Sequence, residues 1–499
     1  MSIQINDLAM IVGAENVITD PSVLGGYASA SGFVTGHAPV CVARVSEAGQ
    51  VEKIIQLANE KKFNIVPASS ADEHLHGGTV PAKDDTVILD LSGMKKIYDA
   101  DRLFRMTVIE PGVTYGELLP YLREKGLMID MPLAPKADKS VIASLIETEP
   151  RLNPNMQWNV LDPLRSTEVV WGDGNRMRTG EGAAAPLNLN GEEMVEHMHN
   201  VKHKYFISPN GPDTIDYYRL IAGSQGTMGV VTWASIKCAL LPDIREAYFA
   251  ASDDMKTCVE FMYNMEHLRC GDGLFLLNRF DFAALMSSDK AQADALMEKL
   301  PTWITVAVLA SRPPLPELRV KGQRECMEQS AMKAGIRLSR EIAGVTAESV
   351  MERAFAPCEK GKYWQDMYAG SEASIIFLTT MDKAEKFVSV MRAAADELGF
   401  DADKIGVYLQ PKHQGVSSRL EFSIPYDEST KAAAEKLFDE ASKKLLEAGA
   451  YFSRPYGRWA KMQLTPDSGS MSRLKRLKNI FDPNNVLAPG RLSNWDALE

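Results

Sequence analysis

The sequence predicts an α+β protein made of two parts. Residues 1–241 alternate patterns typical of helices with patterns typical of short strands, as a mixed α/β domain does. After Leu241-Pro242 the pattern changes to strand, helix, strand, strand, helix and occurs twice, which predicts one antiparallel sheet backed by helices. A chain of 499 residues is also too long for one ordinary hydrophobic core. We therefore expect domains at 1–241 and 242–450, with 451–499 returning to the first.

The first domain is predicted to open with a helix and two buried strands. Ser46 is expected to cap the helix, because its hydroxyl can accept a hydrogen bond from a free amide of the first turn. Residues 63–67 and 86–91 are short apolar runs of strand length. The apolar face of the helix consists of Val51, Ile54, Ile55 and Ala58.

Two further helices have clear end signals. Thr114 and Glu117 form a capping box that opens a helix over 118–125, and Gly126 closes it. Near the C-terminus a helix is stopped by Asp482-Pro483. The apolar stripe of this last helix consists of Leu474, Leu477 and Phe481.

The second domain is predicted from the repeated pattern. An insert at 339–363 separates the two copies. The first copy consists of residues 245–250, 254–268, 273–277, 304–310 and 315–334. The second copy consists of residues 374–380, 383–398, 405–410, 419–424 and 430–447.

Composition and charge exclude several classes of protein. A net charge of −11 disfavours a nucleic-acid or anionic-membrane partner. The six cysteines form no CxxC pair, which favours reduced thiols over a disulfide framework or an iron–sulfur site. The start of the sequence lacks a signal-peptide pattern, and no apolar run reaches membrane-spanning length. We expect a cytoplasmic protein and a homo-oligomer, although the sequence leaves the stoichiometry open.

The most informative segment is residues 218–232, which combines glycines and hydroxyls before a β-branched strand. Gly223, Gly226 and Gly229 give a GxxGxxG spacing, and glycine backbone can bring several N–H groups towards one phosphate. Ser224 and Thr227 add hydroxyl donors. The spacing is not the GxGxxG of a Rossmann turn, and no obvious first βαβ unit with an acidic residue some twenty positions on accompanies it. An NAD site is therefore disfavoured.

Together with residues 482–491 (Asp-Pro-Asn-Asn-Val-Leu-Ala-Pro-Gly-Arg), this segment resembles the FAD-linked oxidase and dehydrogenase superfamily. That superfamily includes vanillyl-alcohol oxidase, p-cresol methylhydroxylase and the glycolate and D-lactate dehydrogenases. The resemblance extends from about Leu8 to Leu492. It implies a two-part FAD-binding domain of the p-cresol methylhydroxylase type (PCMH-type) and a cap domain with a ferredoxin-like repeat. It also implies that the chain is a flavoprotein oxidoreductase.

The resemblance also implies which residues contact FAD. A second phosphate loop is expected at 67–81, where relatives usually have more glycine and often have Gly at the position of Ala71. Asp72 and Glu73 would repel a pyrophosphate and are expected to point away from it. The expected cofactor contacts are Pro67, Ser69, Ser70, Ala71, His74, Gly77, Ser140, Ala143, Gly223, Ser224, Gly226, Thr227, Gly229, Val231 and Arg491.

Two departures from the family bear on the flavin. Relatives commonly have a Gly-Gly pair where Ile142-Ala143 stands, and larger groups there would restrict oxygen, which favours a dehydrogenase. Residues 416–418 offer no histidine where vanillyl-alcohol oxidase has its linking residue, and residues 69–71 offer neither His nor Cys at the other common position. His74 and Tyr408 are less favoured attachment sites. We expect FAD to be bound without a covalent link.

The substrate pocket is expected on the strands that contain residues 408–422. Alternation along a strand places Tyr408 and Gln410 on one face, and Arg419 and Glu421 on one face. Hydride transfer to flavin N5 requires a base for the proton or a cation for the developing anion. A solvated charge is the alternative role for every candidate. The candidate catalytic groups are Arg419, Glu421, His413, Tyr451, Arg454, Tyr456 and Tyr408.

Metal sites are disfavoured. In the hydroxy-acid branch of the superfamily, two histidines and a later Glu-His hold a divalent metal, but residues 453–457 (Ser-Arg-Pro-Tyr-Gly) replace the Glu-His-Gly here. His413 matches one position only. In the phenol-oxidising branch a Tyr-Arg pair stabilises the phenolate; Tyr451 fits the tyrosine, Phe452 replaces the arginine, and Arg454 could substitute. The histidines at 197, 199 and 203 lack a zinc-site frame and are more typical of a polar loop.

Three functions are compatible with these residues. The first is an FAD-dependent dehydrogenase acting on a small aromatic, phenolic or hydroxylated molecule. The second is a flavin-bearing electron-transfer subunit whose acceptor is an iron–sulfur or electron-transfer-flavoprotein partner. The third is a binding protein that has kept the fold and lost catalysis. A flavin spectrum and anaerobic reduction by substrate would separate them.

Overall fold

A computed structural model of the chain describes residues 5–70, 77–156, 163–180, 192–193, 196, 217–464 and 469–492. Within these ranges the strands form sheets of four, five and seven strands and three two-stranded ribbons. Helices pack on all three large sheets. The predicted α+β class with an antiparallel second sheet is confirmed. The domain boundaries at 241 and 450 remain a prediction.

The four-stranded sheet is largely parallel. Its strands in spatial order are Val17–Ile18, Cys41–Arg44, Thr86–Asp90 and Asn64–Ala68, and only the first pair is antiparallel. The helices Ile5–Val12 and Ala48–Lys61 pack against it, and Val51, Ile54, Ile55 and Ala58 are buried as predicted.

The predicted Ser46 cap is wrong. Glu47 occupies the N-cap position without a side-chain hydrogen bond to the helix. The backbone N–H of Ser46 instead donates to Gln50 Oε1 at 2.8 Å. The glutamine side chain therefore satisfies the amide that precedes the helix, and its oxygen also accepts from the Ser46 hydroxyl at 3.3 Å.

The five-stranded sheet is antiparallel throughout. Its strands in spatial order are Arg176–Arg178, Leu164–Trp171, Gly229–Lys237, Met106–Ile109 and Ile97–Asp101. The helices against it are Tyr115–Glu124, Val141–Ile146 and Gly469–Phe481.

Two of the predicted helix signals are confirmed in the helices that pack on the five-stranded sheet. The capping box of Thr114 and Glu117 is present, although the helix begins at Tyr115. Leu474, Leu477 and Phe481 lie against the same core, and the Phe481 ring is 4.4 Å from that of Trp171.

The seven-stranded sheet contains the two predicted repeats side by side. Its strands in spatial order are Leu338–Ser339, Ile244–Ser252, Trp303–Ser311, Gly273–Asn278, Gly406–Lys412, Ser417–Tyr426 and Ser371–Thr379, and every neighbouring pair is antiparallel. One face is covered by the helices Met255–His267, Pro316–Ala334, Ala384–Glu397 and Lys431–Glu447. The other face packs on Arg279–Met286 and Ala347–Ala354.

Shorter elements complete the described part of the chain. The remaining helices are Pro21–Gly25, Tyr218–Ile221, Lys290–Met297 and Gly457–Gln463. The ribbons pair Ser29–Ala30 with Val34–Thr35, Leu127–Met128 with Ala239–Leu240, and Glu341–Ile342 with Val345–Thr346. None of the described helices combines the length and the apolar character that a membrane crossing requires.

Glu266, on the helix Met255–His267, is buried and makes the stability of the protein depend on pH. Both of its carboxylate oxygens lack a hydrogen-bond partner, and burial raises its pKa to about 8. A raised pKa in the folded state means that the unfolded chain loses this proton first, so stability is lost as pH rises from the ordinary glutamate range through about 8.

Glu266→Gln is therefore expected to stabilise the protein at pH 9, by an amount of the order of a few kcal/mol. The variant should show little effect at pH 4, where the carboxyl is protonated in both states. Denaturant unfolding at the two pH values checks this. Equal shifts at both would contradict it.

Candidate functional site

A cleft lies where the four-stranded sheet, the helix Val141–Ile146 and the loop at 223–229 meet. We call it the glycine-loop cleft, and it contains about 940 Å³ of space free of protein atoms. Its position follows from the fold, because the strand Asn64–Ala68 ends beside the loop that precedes the strand Gly229–Lys237. It is lined by Pro67, Ala68, Ser69, Ser70, Gly78, Thr79, Leu91, Pro111, Lys139, Ile142, Ala143, Ile146, Glu147, Ile221, Gly223, Ser224, Gln225, Gly226, Gly229, Val230, Val231 and Tyr456.

The glycines of the loop are required by its geometry. Gly223 and Gly226 have φ values of +72° and +75°, and Gln225 between them is also left-handed. A Cβ atom on Gly226 would lie 2.7 Å from Pro67 Cγ, and one on Gly229 would lie 2.5 Å from Val169 Cγ1. The loop therefore reaches the strand end only because these positions lack side chains.

Two hydroxyls in the glycine-loop cleft are buried and unpartnered. Ser224 Oγ and Thr79 Oγ1 have no hydrogen-bond partner, and both residues line the cleft. A buried hydroxyl without a partner costs free energy, so such groups usually indicate a ligand or water. Phosphate oxygens would accept from both hydroxyls. The cleft therefore fits the pyrophosphate of a dinucleotide.

The C-terminal segment holds the two loops together from behind. Arg491 donates to the carbonyl oxygens of Gly78, of Val80 at 2.6 Å and of Gln225 at 3.3 Å. Lys478 Nζ donates to Thr227 O at 2.5 Å. The pairing of Ile65 with Val486 and Ala488 places this segment beside the four-stranded sheet.

Several expected cofactor contacts support the cleft without lining it. Ser140 caps the helix Val141–Ile146, accepting from the Ala143 amide at 3.1 Å and donating to Pro111 O at 2.6 Å. Thr227 Oγ1 donates to Ser224 O at 2.7 Å. The residues that act in this way are Ser140, Thr227 and Arg491, whereas Gly77 lies against Val34 and does not line the cleft. Ala71 and His74 lie outside the described residues.

A second cavity adjoins the glycine-loop cleft beneath the seven-stranded sheet. We call it the inner cavity, and the two share Lys139. Its wall combines aromatic rings and prolines with buried charges. It is lined by Pro132, Leu133, Pro135, Lys136, Lys139, Glu149, Pro150, Tyr363, Trp364, Gln365, Glu372, Tyr408, Arg419 and Glu421.

A buried charge cluster separates the two spaces. Lys139 Nζ lies 3.1 Å from Glu147 and 3.3 Å from Glu149, and Arg454 Nη2 lies 3.4 Å and 3.9 Å from the same two carboxylates. Burial opposes ionisation of Glu149, but the charges of Lys139 and Arg454 outweigh it and hold its pKa well below the usual range. Glu149 is therefore ionised at neutral pH and places a negative charge at the junction of the two spaces.

Arg419 and Glu421 form a second buried pair in the inner cavity. Arg419 Nη2 lies 2.6 Å from Glu421 Oε2, and Gln365 donates to Glu421 Oε1 at 2.8 Å. Burial raises the pKa of Glu421, but Arg419 and these hydrogen bonds outweigh it and lower that pKa overall. The Nε atom of Arg419 and the Nε1 atom of Trp364 are buried and have no partner. These two N–H groups are available to an oxygen atom in the cavity.

Five of the seven predicted catalytic candidates lie at the inner cavity, at the glycine-loop cleft or at their junction, and the other two lie elsewhere. Tyr408, Arg419 and Glu421 line the inner cavity, Arg454 lies at the junction, and Tyr456 lines the glycine-loop cleft. The remaining two, His413 and Tyr451, line neither space.

His413 and Tyr451 lie away from both spaces, and their catalytic role stays a prediction. The strand Gly406–Lys412 ends one residue before His413, which lies in the hairpin turn with φ +50° and contacts Ser417 at 3.2 Å. Tyr451 is 58% exposed, because the adjacent Phe452 takes the inward position in the core. Arg454, which could replace the missing arginine of the phenol-oxidising branch, lies at the junction of the two spaces.

Other residues that line the inner cavity were not predicted from the sequence. Lys136 comes from a loop, Tyr363 from the end of the insert, Gln365 from the helical turn that follows it, and Glu372 from an edge strand. Their sequence neighbourhoods resemble ordinary surface segments. Only Lys139 had a usable signal, because it precedes the segment expected against the flavin.

A family model described as an FAD binding domain matches residues 39–180. The flavoprotein subunit of 4-cresol dehydrogenase [hydroxylating] from Pseudomonas putida is 27% identical over 181 residues, covering 36% of this chain and 34% of the relative. A 1'-carboxy-chondrochloren decarboxylase from Chondromyces crocatus is 27% identical over 173 residues, covering 34% and 31%. The chain thus spans about a third of the length of these two relatives. Glycolate oxidase subunit GlcD from Bacillus subtilis is 22% identical over 477 residues, covering 92% and 90%.

Solved structures share the whole fold. p-Cresol methylhydroxylase with substrate bound superposes with a TM-score of 0.79 at 18% identity, covering 98% of this chain and 96% of that one. 4-Ethylphenol oxidase from Gulosibacter chungangensis gives a TM-score of 0.79 at 17% identity with the same coverage. The predicted PCMH-type fold is confirmed. Residues 39–180 form an FAD binding domain, and FAD is the cofactor of this chain. The chain is similar to members of the FAD-linked oxidase and dehydrogenase superfamily.

Proposed function

We propose that the protein is an FAD-dependent dehydrogenase that oxidises a small aromatic, phenolic or hydroxylated molecule in the inner cavity. One observation carries the proposal: the glycine-loop cleft and the inner cavity adjoin and share Lys139. A dinucleotide in the first space would bring its ring to the second. When bound, FAD supplies a two-electron acceptor at N5 for the hydride of the substrate.

Residues of the glycine-loop cleft would hold the cofactor. The amides of Gly223–Gly229 and the strand end at 67–70 would face the pyrophosphate, with the hydroxyls of Ser224 and Thr79 as further donors. Ile142 and Ala143 would lie against the ring. We propose that attachment is non-covalent.

Residues of the inner cavity would orient the substrate. Tyr363 and Tyr408 give it aromatic walls, which suits a planar ring. The unpartnered Nε–H of Arg419 and Nε1–H of Trp364 could donate to a substrate oxygen on which negative charge develops. Arg454 adds positive charge at the junction. This donor set favours a phenol or an alcohol over an apolar substrate.

A second function is favoured by one relative, which is itself the flavoprotein subunit of 4-cresol dehydrogenase. In that reading the chain is the flavin-bearing subunit of a larger assembly and passes electrons to an iron–sulfur protein, an electron-transfer flavoprotein or a cytochrome. The buried Ile142, where relatives commonly have glycine, would limit oxygen access in both readings.

Anaerobic reduction tests the first function. The purified protein is mixed with 4-cresol, glycolate, D-lactate or D-2-hydroxyglutarate, and flavin absorbance is followed. Loss of absorbance with at least one probe supports a dehydrogenase that needs no partner for flavin reduction. A yellow protein that no probe reduces, but that is reduced after a redox partner is added, favours the subunit. A colourless protein contradicts both.

Acid precipitation should release the flavin into the supernatant. We expect nearly all the yellow colour to leave the pellet, because the described residues around the glycine-loop cleft offer no histidine or cysteine side chain to link it. Absorbance of the two fractions measures this. Colour that stays with the denatured protein would indicate a covalent link.

A further inference from the structure

A third space opens on the far side of the inner cavity. We call it the outer cleft; it lies between the ribbon at 29–35 and the edge strand Ser371–Thr379 and contains about 1710 Å³ of space that is open to solvent. It shares Lys136, Tyr363 and Glu372 with the inner cavity. Glu372 therefore borders both the candidate substrate site and a route to solvent.

A continuous hydrogen-bond chain starts at Glu372. Ser374 Oγ lies 2.9 Å from both oxygens of Glu372 and 2.7 Å from Glu421 Oε1. The strands Ser371–Thr379 and Ser417–Tyr426 pair in antiparallel register, with Ser374 opposite Ser423. Residues two apart point to the same face, so Glu372, Ser374 and Glu421 share one face of the sheet. All three are buried.

The two carboxyl groups hold different numbers of protons. Burial, and then the charge of Glu421, raises the pKa of Glu372 well above its ordinary value, whereas Arg419 overcomes burial and lowers that of Glu421. Glu372 is thus the protonated partner. A serine hydroxyl can donate one hydrogen bond and accept another at once, so Ser374 can connect an acid to a carboxylate.

Other charged groups face Glu372 as well. The carboxyls of Asp366 and Asp281 raise its pKa in the same direction as Glu421. Lys136 opposes them, and its ammonium lies 3.8 Å from Asp366 and 4.6 Å from the centre of the Tyr363 ring. Burial, and then the charge of Glu372, raises the pKa of Tyr426.

We propose that Glu421, Ser374 and Glu372 carry the hydroxyl proton of the substrate from the inner cavity to the outer cleft. The proposal rests on the proposed function. A second observation also places a ligand beside this chain: Arg419 Nε and Trp364 Nε1 are buried, unpartnered and part of the same cavity wall.

Oxidation of an alcohol breaks a C–H and an O–H bond and forms a C=O bond. The hydride takes both electrons to the flavin, and the O–H proton passes to the Glu421 carboxylate. Glu372 then releases its own proton to water in the outer cleft. Ser374 donates its hydroxyl proton to Glu372 and accepts one from Glu421. One proton has left the inner cavity, and all three groups regain their starting states.

Stopped-flow reduction of the flavin-loaded full-length protein tests the relay, with D-lactate, glycolate or 4-cresol as the probe. Glu372→Gln keeps a hydrogen-bonding side chain but cannot take up the proton, so we expect flavin reduction to slow at least tenfold with a larger solvent isotope effect. Ser374→Ala should do the same, and Ser374→Thr should retain most of the rate because it keeps the hydroxyl. Acetate should restore part of the rate of Glu372→Ala.

Glu428→Gln, on the rim of the outer cleft, is the matched control and should leave the rate of flavin reduction unchanged. The Glu428 side chain is 92% exposed and is not part of the hydrogen-bond chain. Equal rates for Ser374→Ala and Ser374→Thr, or a wild-type rate in Glu372→Gln, would overturn the relay.

A substrate-free measurement separates failure of the relay from failure of the proposed function. The infrared spectrum of the flavin-loaded protein should contain the carbonyl band of a protonated carboxyl that shifts in D2O and weakens in Glu372→Gln. An unchanged band overturns the relay even if the flavin is reduced normally. A wild-type flavin that no probe reduces contradicts the proposed function, and the infrared result then decides the relay alone.

Discussion

Gly226→Ala is expected to abolish most of the flavin binding by the protein. The new methyl carbon would lie 2.7 Å from Pro67 Cγ and 3.1 Å from its Cδ, and a proline ring cannot turn aside. The left-handed φ of +75° adds backbone strain of about 1–2 kcal/mol. Both effects move the loop away from the strand end against which it is built. We expect flavin content after purification to fall at least tenfold.

Gly399→Ala is the matched control for strain. Gly399 has nearly the same φ, +73°, but nothing lies within 4 Å of an added Cβ, and the residue is remote from the glycine-loop cleft. This variant should lose some thermal stability and keep its flavin. The ratio of flavin to protein absorbance, together with the melting temperature, compares the two. Equal flavin content in both would show that the contact with Pro67 does not shape the site.

Arg454→Ala is expected to impair flavin reduction far more than flavin binding. The substitution removes a buried cation that lies 3.4 Å from Glu147 and 3.9 Å from Glu149 at the junction of the two spaces. The carboxylates would then keep Lys139 as their ion-pair partner. Loss of a charged donor at a reacting centre commonly costs about 100- to 1,000-fold in rate. Anaerobic stopped-flow reduction with the best probe measures the rate.

Arg458→Ala is the control for the removal of an arginine nearby in sequence. Arg458 pairs with Glu435 and Asp439, and its side chain is 33% exposed. Its loss should leave both flavin content and reduction rate close to wild type. If Arg454→Ala reduces flavin content and reduction rate by the same factor, Arg454 acts through the fold and not at the reaction.

Six strands of the seven-stranded sheet could be predicted because their signals are local, whereas the two-residue strand Leu338–Ser339 was not. Each strand of the two repeats is a short run with turns at its ends, and each helix has an apolar stripe of its own. The helix Arg279–Met286 was missed because it is apolar on nearly every side. A helix buried on all faces has no stripe to detect.

The glycine-loop cleft was partly predictable, whereas of the inner cavity the sequence indicated only Tyr408, Arg419 and Glu421. Glycines with positive φ leave a sequence signature, since few other residues tolerate that backbone. The inner cavity instead depends on which segments meet. Glu149, Gln365 and Glu372 come together only through the packing of the sheet, and each is separately typical of a surface residue. The same reason explains the exposed position of Tyr451, whose neighbour Phe452 takes the inward position.

The bonds that Arg491 makes have a consequence for the order in which the protein matures. Gln225 accepts from a guanidinium 266 positions later in the chain, and Gly78 accepts from the same group. A nascent chain on the ribosome therefore exposes its glycine loop long before the segment that braces it has been made. We expect cofactor capture to wait until this segment has left the ribosome, so that translation products halted before it stay colourless.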